Sequence, residues 1–502
     1  MVKSQLRFAF ITFLFLILTY SVSFAQRRLG IRWKVPENQE QAVRQLQQFH
    51  QMGISLIKIS ENPAPKVWKA INNLEIQVYA DIGIHFPVTK TFASADSSLI
   101  HLIESKASAY FAHPSVKAIG LFEDGSIKQE KFQSAIKPFI EQLQNAGKRD
   151  IYFVSSRSLN SNSIPTSFYL YKANIYPRGK NTMDIPTDKK IGGYLFTPSP
   201  SLKGYLSPFK QFLANTASVK SKPIFISEDW LLSAIEAHPQ FKSTIKSLSS
   251  EAKAIFPVPN ESLPEQKQPV IPVIILFIVW GVAALHYNSS PLYRKSLFRY
   301  FGAHKFFIDD IFHRQIRSSS PALLIILQNI FLNSASVFAT FLTLWSPTGR
   351  DALFYHLPIL KIFDSSPLSI LILSISLSTI LSLISVLWLY IGHRKSNSLT
   401  QVATIYAWPL QLNFVTGTIA IASFSAGGGS TVVTIFSCLT LFIFSMSFIF
   451  TSIDIARFKA KRPILYVLGT TGIYLISIGL LCTWLMTFDS WFEIIRLSLQ
   501  LT

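Results

Sequence analysis

The sequence contains little charge and almost no cysteine. Charged residues make up 15% of its 502 positions, against about 25% in a typical soluble globular domain. Its two cysteines, Cys438 and Cys482, both lie inside long apolar runs, which excludes a disulfide scaffold and a cysteine-based zinc site. Acidic residues are also few: 27 Asp and Glu stand against 47 Lys and Arg, a net charge of +20. Hydrophobic residues reach 49%, which indicates a protein with a large membrane-embedded part.

The first 25 residues have the pattern of a secretory signal peptide. Lys3 and Arg7 lead into the apolar run FAFITFLFLILTY, and the small residues Ser23 and Ala25 stand two apart before Gln26. A charged start, a short apolar core and a small-x-small exit are typical of an exported chain. We therefore predict a signal peptide over residues 1–25, followed by an extracytoplasmic domain.

That domain, residues 26–260, alternates short β-type runs with amphipathic helical stretches. The runs interpreted as strands are LGIRW (29–33), SLIKIS (55–60), IQVYADIGI (76–84), VKAIGLFE (116–123), DIYFVS (150–155), FYLYKANIY (168–176), GGYLF (192–196) and KPIFISE (222–228). Strands that alternate with helices pair in parallel through right-handed crossovers. Eight such units in roughly 240 residues predict an α/β fold, a (β/α)₈ barrel. A doubly wound sheet is the structural alternative, but no Gly-rich phosphate loop follows the first strand.

Beyond a polar linker, residues 261–269, the composition becomes strongly apolar. Apolar runs fall at 270–287, 321–345, 368–391, 402–423, 431–451 and 464–487. They predict an all-α bundle of about six transmembrane helices over residues 270–487, with Trp408-Pro409 kinking the fourth, and a tail over residues 488–502. With the first domain outside, the cytoplasmic loops hold twelve Lys and Arg residues and the outside loops and tail three. The positive-inside rule therefore agrees with the signal peptide on a multi-pass protein of the cell (inner) membrane whose two ends are extracytoplasmic.

The basic excess does not indicate nucleic acid binding. In the membrane half it sits in short loops, where it sets topology and contacts anionic headgroups. We therefore expect the lipid bilayer as a partner and no nucleic acid, and no pattern identifies a protein partner. None of the six runs has an ionisable Asp, Glu, Lys or Arg in its interior, which disfavours a coupled transporter. Gln328, Asn329 and Asn333 form a polar patch expected to join helices.

Five segments of the exported domain carry motifs in the order of a known family. HPSVKAIGLFEDG (113–125) matches a fourth-strand motif that ends in an acid/base carboxylate. The others are SLIKISENPAP for the second strand, RDIYFVSS for the fifth, ANIYPRG for the sixth and KPIFISEDW for the strand with the nucleophile. Together they resemble the catalytic barrel of glycoside hydrolase family two, the β-galactosidase and β-glucuronidase group of clan A. The resemblance spans residues 28–232 and implies retaining hydrolysis of a glycan. It also makes KPIFISE the seventh strand and leaves the eighth unassigned.

The resemblance implies two catalytic carboxylates at the C-terminal ends of strands. A retaining glycosidase needs them about 5–5.5 Å apart, one a protonated acid and the other a nucleophile. Glu228 matches the nucleophile. Two residues remain candidates for the acid: Asp124 falls in the family's register counted from His113, whereas the longer side chain of Glu123 reaches a glycosidic oxygen better.

Other residues are expected to contact the substrate. They are Lys58, Asp81, Asn174, Tyr176 and Trp230. Lys58 stands where the family has arginine, Tyr176 would orient the nucleophile, and Trp230 would stack on a sugar ring. We expect no metal and no cofactor, because the histidines show no paired metal-ligand spacing.

Three classes of function stay open. The first is a membrane-anchored glycoside hydrolase. The second is a noncatalytic glycan-binding barrel attached to a membrane bundle with an anchoring or sensing role. It is favoured by the adjacent acids Glu123-Asp124 and Glu228-Asp229, which suit helix N-termini as well as catalysis. The third makes the bundle a transport or assembly component and the barrel its accessory. The position of the carboxylates distinguishes the first class from the second.

Overall fold

The structure is a computed structural model. It describes residues 28–501 apart from 89–96, 126–129, 148, 160–165, 178–184, 187, 189, 218–221, 251–254, 258–268, 314–318, 393–397, 459 and 488. The chain divides into two compact units, Met1–Gln266 and Lys267–Thr502. The predicted signal peptide, and all but the last residue of the predicted linker, lie outside the described residues.

Eight parallel strands close into a barrel in the N-terminal unit. They are β1 (Leu29–Arg32), β2 (Leu56–Ile59), β3 (Gln77–His85), β4 (Val116–Glu123), β5 (Asp150–Ser155), β6 (Phe168–Ile175), β7 (Ile191–Pro198) and β8 (Ile224–Ser227). Each strand pairs with the next, and β8 pairs with β1. The predicted barrel and its eight strand segments are confirmed. The position that the resemblance implies for KPIFISE is wrong, because this segment forms β8 and GGYLF lies in β7.

Amphipathic helices alternate with most of these strands. They are α1 (Gln39–Gln51), α2 (Pro65–Asn73), α3 (Ser97–Phe111), α4 (Glu130–Gly147), α5 (Ser207–Asn215), α6 (Glu228–Ala237) and α7 (Phe241–Ser249). In α1 the Asn38 side chain caps the helix by accepting from the backbone N–H of Glu40 at 2.9 Å. Ala42, Leu46 and Phe49 form its buried stripe at the spacing of a helical face. The strands are buried on both faces, which explains their continuous apolar runs.

The interior of the barrel changes from apolar to charged along its axis. Its apolar layer includes Leu56, Tyr79, Ala118, Tyr152, Leu170 and Phe225. Two residues further along β2 and β3, Lys58 and Asp81 form a buried ion pair, and the Tyr152 hydroxyl donates to Asp81 at 2.7 Å. Gly120 on β4 leaves room for these groups, since a Cβ there would lie 2.7 Å from the Tyr152 ring. The charged layer lies just beneath the C-terminal ends of the strands.

The C-terminal unit is helical. Its helices are α8 (Ile271–Ser289), α9 (Pro291–Gly302), α10 (His304–Phe312), α11 (Ser320–Leu344), α12 (Pro347–His356), α13 (Ser366–Ile391), α14 (Leu399–Ala407), α15 (Leu412–Ser425), α16 (Ser430–Phe458), α17 (Pro463–Val467), α18 (Ile473–Thr487) and α19 (Asp489–Gln500). Within the described residues, five helical segments are long and apolar enough to cross a membrane: α8, α11, α13, α16 and the run Pro463–Trp484. They indicate a membrane protein.

The fourth predicted span, residues 402–423, is divided. Helix α14 ends at Ala407, a 3₁₀ turn covers Trp408–Gln411, and α15 begins at Leu412. Pro409 has no N–H to donate and its ring clashes with the preceding turn, which accounts for the break. The predicted count of about six spans is not confirmed, because five are found in the described residues.

Neutral amides join the broken helix to α11, the most buried of the five apolar helices. The Asn413 amide donates to Asn329 at 3.0 Å and to Asn333 at 3.4 Å. Asn329 in turn donates to the backbone carbonyl of Leu410 at 3.1 Å. Such hydrogen bonds between helices stabilise packing where apolar surface gives little driving force. The polar patch on α11 thus contacts the segment where α14 and α15 are interrupted.

Candidate functional site

Glu123 lies at the C-terminal mouth of the barrel among basic side chains. It is the last residue of β4 and is 6% exposed. Lys172 on β6 donates to its Oε1 at 2.6 Å. Arg32 Nη2 and His85 Nδ1 each lie 3.5 Å from its Oε2. Because parallel strands bring their carboxyl ends to one rim, residues from four strands meet around this single carboxylate.

These contacts set the protonation state of Glu123. Burial alone would raise the pKa of this carboxyl, but Lys172, Arg32 and Lys58 together hold it well below its ordinary value. Burial alone would likewise lower the pKa of Lys172, and the carboxylates of Asp124 and Glu123 raise it instead. A general acid must carry a proton at the working pH. Glu123 is therefore in surroundings that favour an ionised carboxylate, and its role as the acid stays a prediction.

Asp124, the other candidate for the acid, uses both of its oxygens within the protein. Its backbone is left-handed, with φ 50°, and its side chain is fully buried. Oδ2 accepts from Lys172 at 3.0 Å and Oδ1 accepts from the backbone N–H of Ser156 at 2.8 Å. This carboxylate therefore orders Lys172 and the end of β5, and its role as the acid stays a prediction.

Glu228 lies on the other side of the barrel. It is the first residue of α6, directly after β8, and three strands separate β8 from β4 in either direction around the ring. Its Oε2 accepts from the backbone N–H of Lys34 at 3.0 Å. Burial raises the pKa of this carboxyl, and the hydrogen bond from Lys34 opposes the shift. The end of β7, where the resemblance implies the nucleophile, is formed by Thr197 and Pro198 and has no carboxylate.

The remaining predicted residues divide between the interior and the mouth. Lys58 is 0% exposed and pairs with Asp81, which also accepts from Tyr152. Both are therefore paired with each other beneath the mouth, and their contact with substrate stays a prediction. Asn174 and Tyr176 lie at the end of β6 and are partly buried. Their predicted contacts with substrate remain predictions.

Trp230 belongs to the core between barrel and helices. It is 2% exposed, and its ring centroid lies 4.9 Å from Phe196 and 5.3 Å from Phe209. Its Nε1 donates to the carbonyl of Leu202 at 3.1 Å. The structure thus places the indole in aromatic packing, and its predicted stacking on a sugar stays a prediction.

A cavity of about 330 Å³ opens beside Glu228 at the ends of β1, β2 and β8. Its polar lining includes Arg32, Lys34, Ser60, Glu61, Glu228 and Asp229. This volume falls within the roughly 300–1,000 Å³ of small-molecule sites. Arg32 belongs to the cavity and also contacts Glu123, so it links the two sides of the mouth.

Sequence reasoning missed three basic residues near the mouth: Arg32, Lys172 and Arg157. Burial lowers the pKa of Arg157, and its Nη2 is buried with no hydrogen-bond partner among the described residues. Arg32 and Lys172 are charged positions within the otherwise apolar strands LGIR and FYLYKANI. A charged side chain in a buried strand requires a partner of opposite charge. The presence of Arg32 and Lys172 in apolar strand segments could therefore have pointed to Glu123.

Comparison with known proteins gives distant matches to solved structures. No family model matches the chain, and no curated protein is detectably similar to it. A GH2 beta-galacturonidase from Eisenbergiella tayi bound to galacturonate is 14% identical over 40% of this chain and 43% of its own, with a TM-score of 0.32. The same kind of enzyme bound to glycerol is 12% identical over 47% and 53%, with a TM-score of 0.33.

An FMN-binding beta-glucuronidase from Facaelibacterium prausnitzii L2-6 is 12% identical over 45% of this chain and 37% of its own, with a TM-score of 0.30. The chain thus spans about half or less of the length of each of these proteins. Similarity at this level does not assign an activity to the chain.

Proposed function

We propose that the barrel is a glycan-binding module of the glycoside hydrolase type that binds without hydrolysing, held at a membrane by the helical unit. The observation that carries this proposal is the state of Glu123. Lys172 and Arg32 contact its carboxylate and hold its pKa below the ordinary value, and the residue is 6% exposed. A retaining or an inverting glycosidase requires a protonated acid beside the scissile bond, and the surroundings of Glu123 favour the unprotonated form.

The cavity beside Glu228 supports the binding of a sugar. Its lining mixes cationic donors with carboxylate acceptors, among them Arg32, Glu61 and Asp229. Sugar hydroxyls donate and accept at the same time, so a wall with both kinds of group satisfies them. The five motif segments of the sequence add the resemblance to a family that binds glycans.

Hydrolysis is the second candidate, and a specific observation favours it. Burial raises the pKa of Glu228, while Glu123 is held ionised. Two carboxyl groups whose surroundings push their pKa values apart are typical of an acid and base pair. In that reaction Glu228 would be the acid and Glu123 the ionised partner, the reverse of the roles that the resemblance implies.

One preparation tests both candidates. The full chain in detergent is applied to an array of polysaccharides and, separately, incubated with a panel of aryl glycosides. We expect retention on at least one polysaccharide and no release of the aryl group. Arg32→Gln should weaken retention by about tenfold, because it removes a charge-assisted hydrogen bond. Glu75→Gln is the matched control, since this exposed residue precedes β3 at the opposite end of the barrel.

Two outcomes would contradict the proposal. Release of the aryl group by the unmodified chain, lost in Glu228→Gln, would assign hydrolysis with Glu228 as the acid. No retention on any polysaccharide together with no hydrolysis would remove glycans as the ligand.

The orientation of the chain is part of the proposal. The signal-peptide pattern and the excess of basic residues in alternate loops support a protein of the inner membrane. In this orientation the barrel lies on the extracytoplasmic side. A reporter that is active only outside the cytoplasm, fused after Thr502, should be active. A cytoplasmic reporter that is active at the same position would overturn this proposed topology, in which the interrupted segment 402–423 counts as the sixth crossing.

A further inference from the structure

The helical unit contains a second cavity, of about 430 Å³, bounded by α8, α9 and the break before α15. Half of its twelve lining residues are aromatic. The side chains used below are Trp280 and Tyr287 of α8, Tyr293 and Phe298 of α9, and Gln411 and Phe414 of the broken helix. The volume falls within the roughly 300–1,000 Å³ of sites that hold a small organic molecule.

This cavity lies on a side of the helical unit where large apolar side chains are exposed. On α8, Phe277 is 74% exposed and Leu285 is 71% exposed, as expected for a helix surface in contact with acyl chains. Trp280, in the wall of the cavity, is itself 46% exposed. A molecule dissolved in the bilayer can therefore enter from the side.

One polar group in this wall lacks a partner. The Tyr293 hydroxyl donates to Gln411 Oε1 at 3.3 Å. The Nε2 of Gln411 is buried and has no hydrogen-bond partner among the described residues. A buried N–H without an acceptor costs free energy, which an ester carbonyl or a phosphate oxygen in the cavity would recover.

Two cations stand beside the same wall. Arg294 and Lys295 directly follow Tyr293 on α9 and are exposed. Both are helix-surface neighbours of Phe298, at spacings of four and three residues. Phe298 is itself 73% exposed, so α9 presents aromatic and cationic side chains together, as helices at the membrane interface do.

We propose that this cavity binds an anionic phospholipid of the surrounding bilayer. An acyl chain lies among Trp280, Phe298 and Phe414, an ester or phosphate oxygen accepts from Gln411 Nε2, and the negative headgroup lies against Arg294 and Lys295. Charge complementarity selects this occupant over a zwitterionic lipid, which would fill the apolar wall equally well but carries no net charge for the two cations.

Quenching of Trp280 fluorescence by brominated lipid tails tests the site. The full chain is placed in phosphatidylcholine nanodiscs that contain equal fractions of either brominated phosphatidylglycerol or brominated phosphatidylcholine. The fluorescence of Trp280 is obtained by subtracting the fluorescence of Trp280→Phe from that of the unmodified chain. We expect brominated phosphatidylglycerol to quench at about tenfold lower mole fraction, from two cations near the membrane surface.

Charge variants locate the preference. Arg294→Gln combined with Lys295→Gln should make the two lipids quench alike. Lys461→Gln combined with Arg462→Gln is the matched control, because these are also adjacent exposed cations, and it should leave the preference unchanged.

Four outcomes would overturn the proposal. The first is equal quenching by both lipids, and the second is a preference for phosphatidylglycerol that survives the substitution of Arg294 and Lys295. The third is loss of that preference in the control pair as well. The fourth is stronger quenching by a brominated free fatty acid than by brominated phosphatidylglycerol. If the first pair fails to assemble, native mass spectrometry of the unmodified chain extracted from mixed lipids decides. Retention of the anionic phospholipid supports the proposal, and retention of the zwitterionic lipid overturns it.

Discussion

The two sides of the barrel mouth are held together by different forces. On the side of β4 and β6, Lys172 bridges two buried carboxylates, Glu123 and Asp124. On the side of β8, Glu228 accepts from a backbone N–H, and the helix that it begins is anchored by the indole of Trp230 in an aromatic cluster. One side depends on ion pairs and the other on apolar packing.

This difference explains why two glutamates at the same rim have opposite electrostatics. Cations surround Glu123 and lower its pKa, whereas burial dominates at Glu228 and raises its pKa. Position at the end of a barrel strand therefore does not determine the chemistry of a carboxylate. The neighbours on adjacent strands do.

The largest effect is expected from Lys172→Met, which breaks the ionic side. The change leaves Glu123 and Asp124 buried without their shared cation, and removing one partner of a buried ion pair costs about 3–5 kcal/mol. Pulse proteolysis of the full chain in denaturant, with barrel peptides detected by mass spectrometry, measures the loss. Lys66→Met is the control, because Lys66 is exposed and pairs with exposed Glu40, a kind of pair that contributes about 0–1 kcal/mol. Equal effects of the two variants would show that the ionic side does not stabilise the barrel.

A smaller effect is expected from Glu123→Gln. At neutral pH this change should cost about 1.5–3 kcal/mol, the usual contribution of a hydrogen bond to a charged group. The pKa of Glu123 is lower in the folded than in the unfolded chain, so its contribution is present above the unfolded pKa of about 4.3. This stabilising contribution is lost as the pH falls towards the pKa of Glu123 in the folded chain.

The stabilities of Glu123→Gln and of the unmodified chain should therefore differ by a constant amount from pH 7 down to about 4.3, and should converge as the pH falls below that value towards the folded pKa. Hydrogen exchange of β4 and β6 peptides across this range follows the convergence. A difference that stays constant over the whole range would mean that the carboxylate is not held by its cations.

The barrel could be predicted from the sequence because its strands are apolar on both faces and alternate with amphipathic stretches. Residues such as Ile57, Phe153 and Phe225 are fully buried, and their type alone indicates this. The site was predicted less well. Glu123 and Glu228 were placed at the rim, but their protonation depends on Lys172 and Arg32, which are distant in the chain. The burial of Lys58 and Trp230 could not be predicted, because spacing along one strand does not show how deep a side chain lies.

Trp230→Phe tests the apolar side. The substitution keeps an aromatic ring but removes the indole N–H that donates to the Leu202 carbonyl. The Leu202 carbonyl keeps its second donor, the backbone N–H of Tyr205 at 3.2 Å. Losing the indole hydrogen bond and part of the buried ring volume should together cost about 1–3 kcal/mol. This cost should be independent of pH between 4 and 8, because no ionisable group takes part. Pulse proteolysis at several pH values provides the comparison. A loss that varies with pH as strongly as that of Glu123→Gln would remove the distinction between the two sides.

The smallest effect is expected from Glu228→Gln, which should change stability at pH 7 by less than about 1 kcal/mol, the range of a charge at a helix N-terminus. The sign of its pH dependence is the informative part. Because burial raises the folded pKa of Glu228, its contribution is fully present below the unfolded pKa and is lost as the pH rises through the folded value. The unmodified chain should therefore gain stability relative to Glu228→Gln on acidification, the reverse of the trend at Glu123. Asp229→Asn, an exposed change in the same first turn of α6, controls for the helix dipole. Parallel pH trends for Glu123→Gln and Glu228→Gln would show that both sides of the mouth share one electrostatic environment.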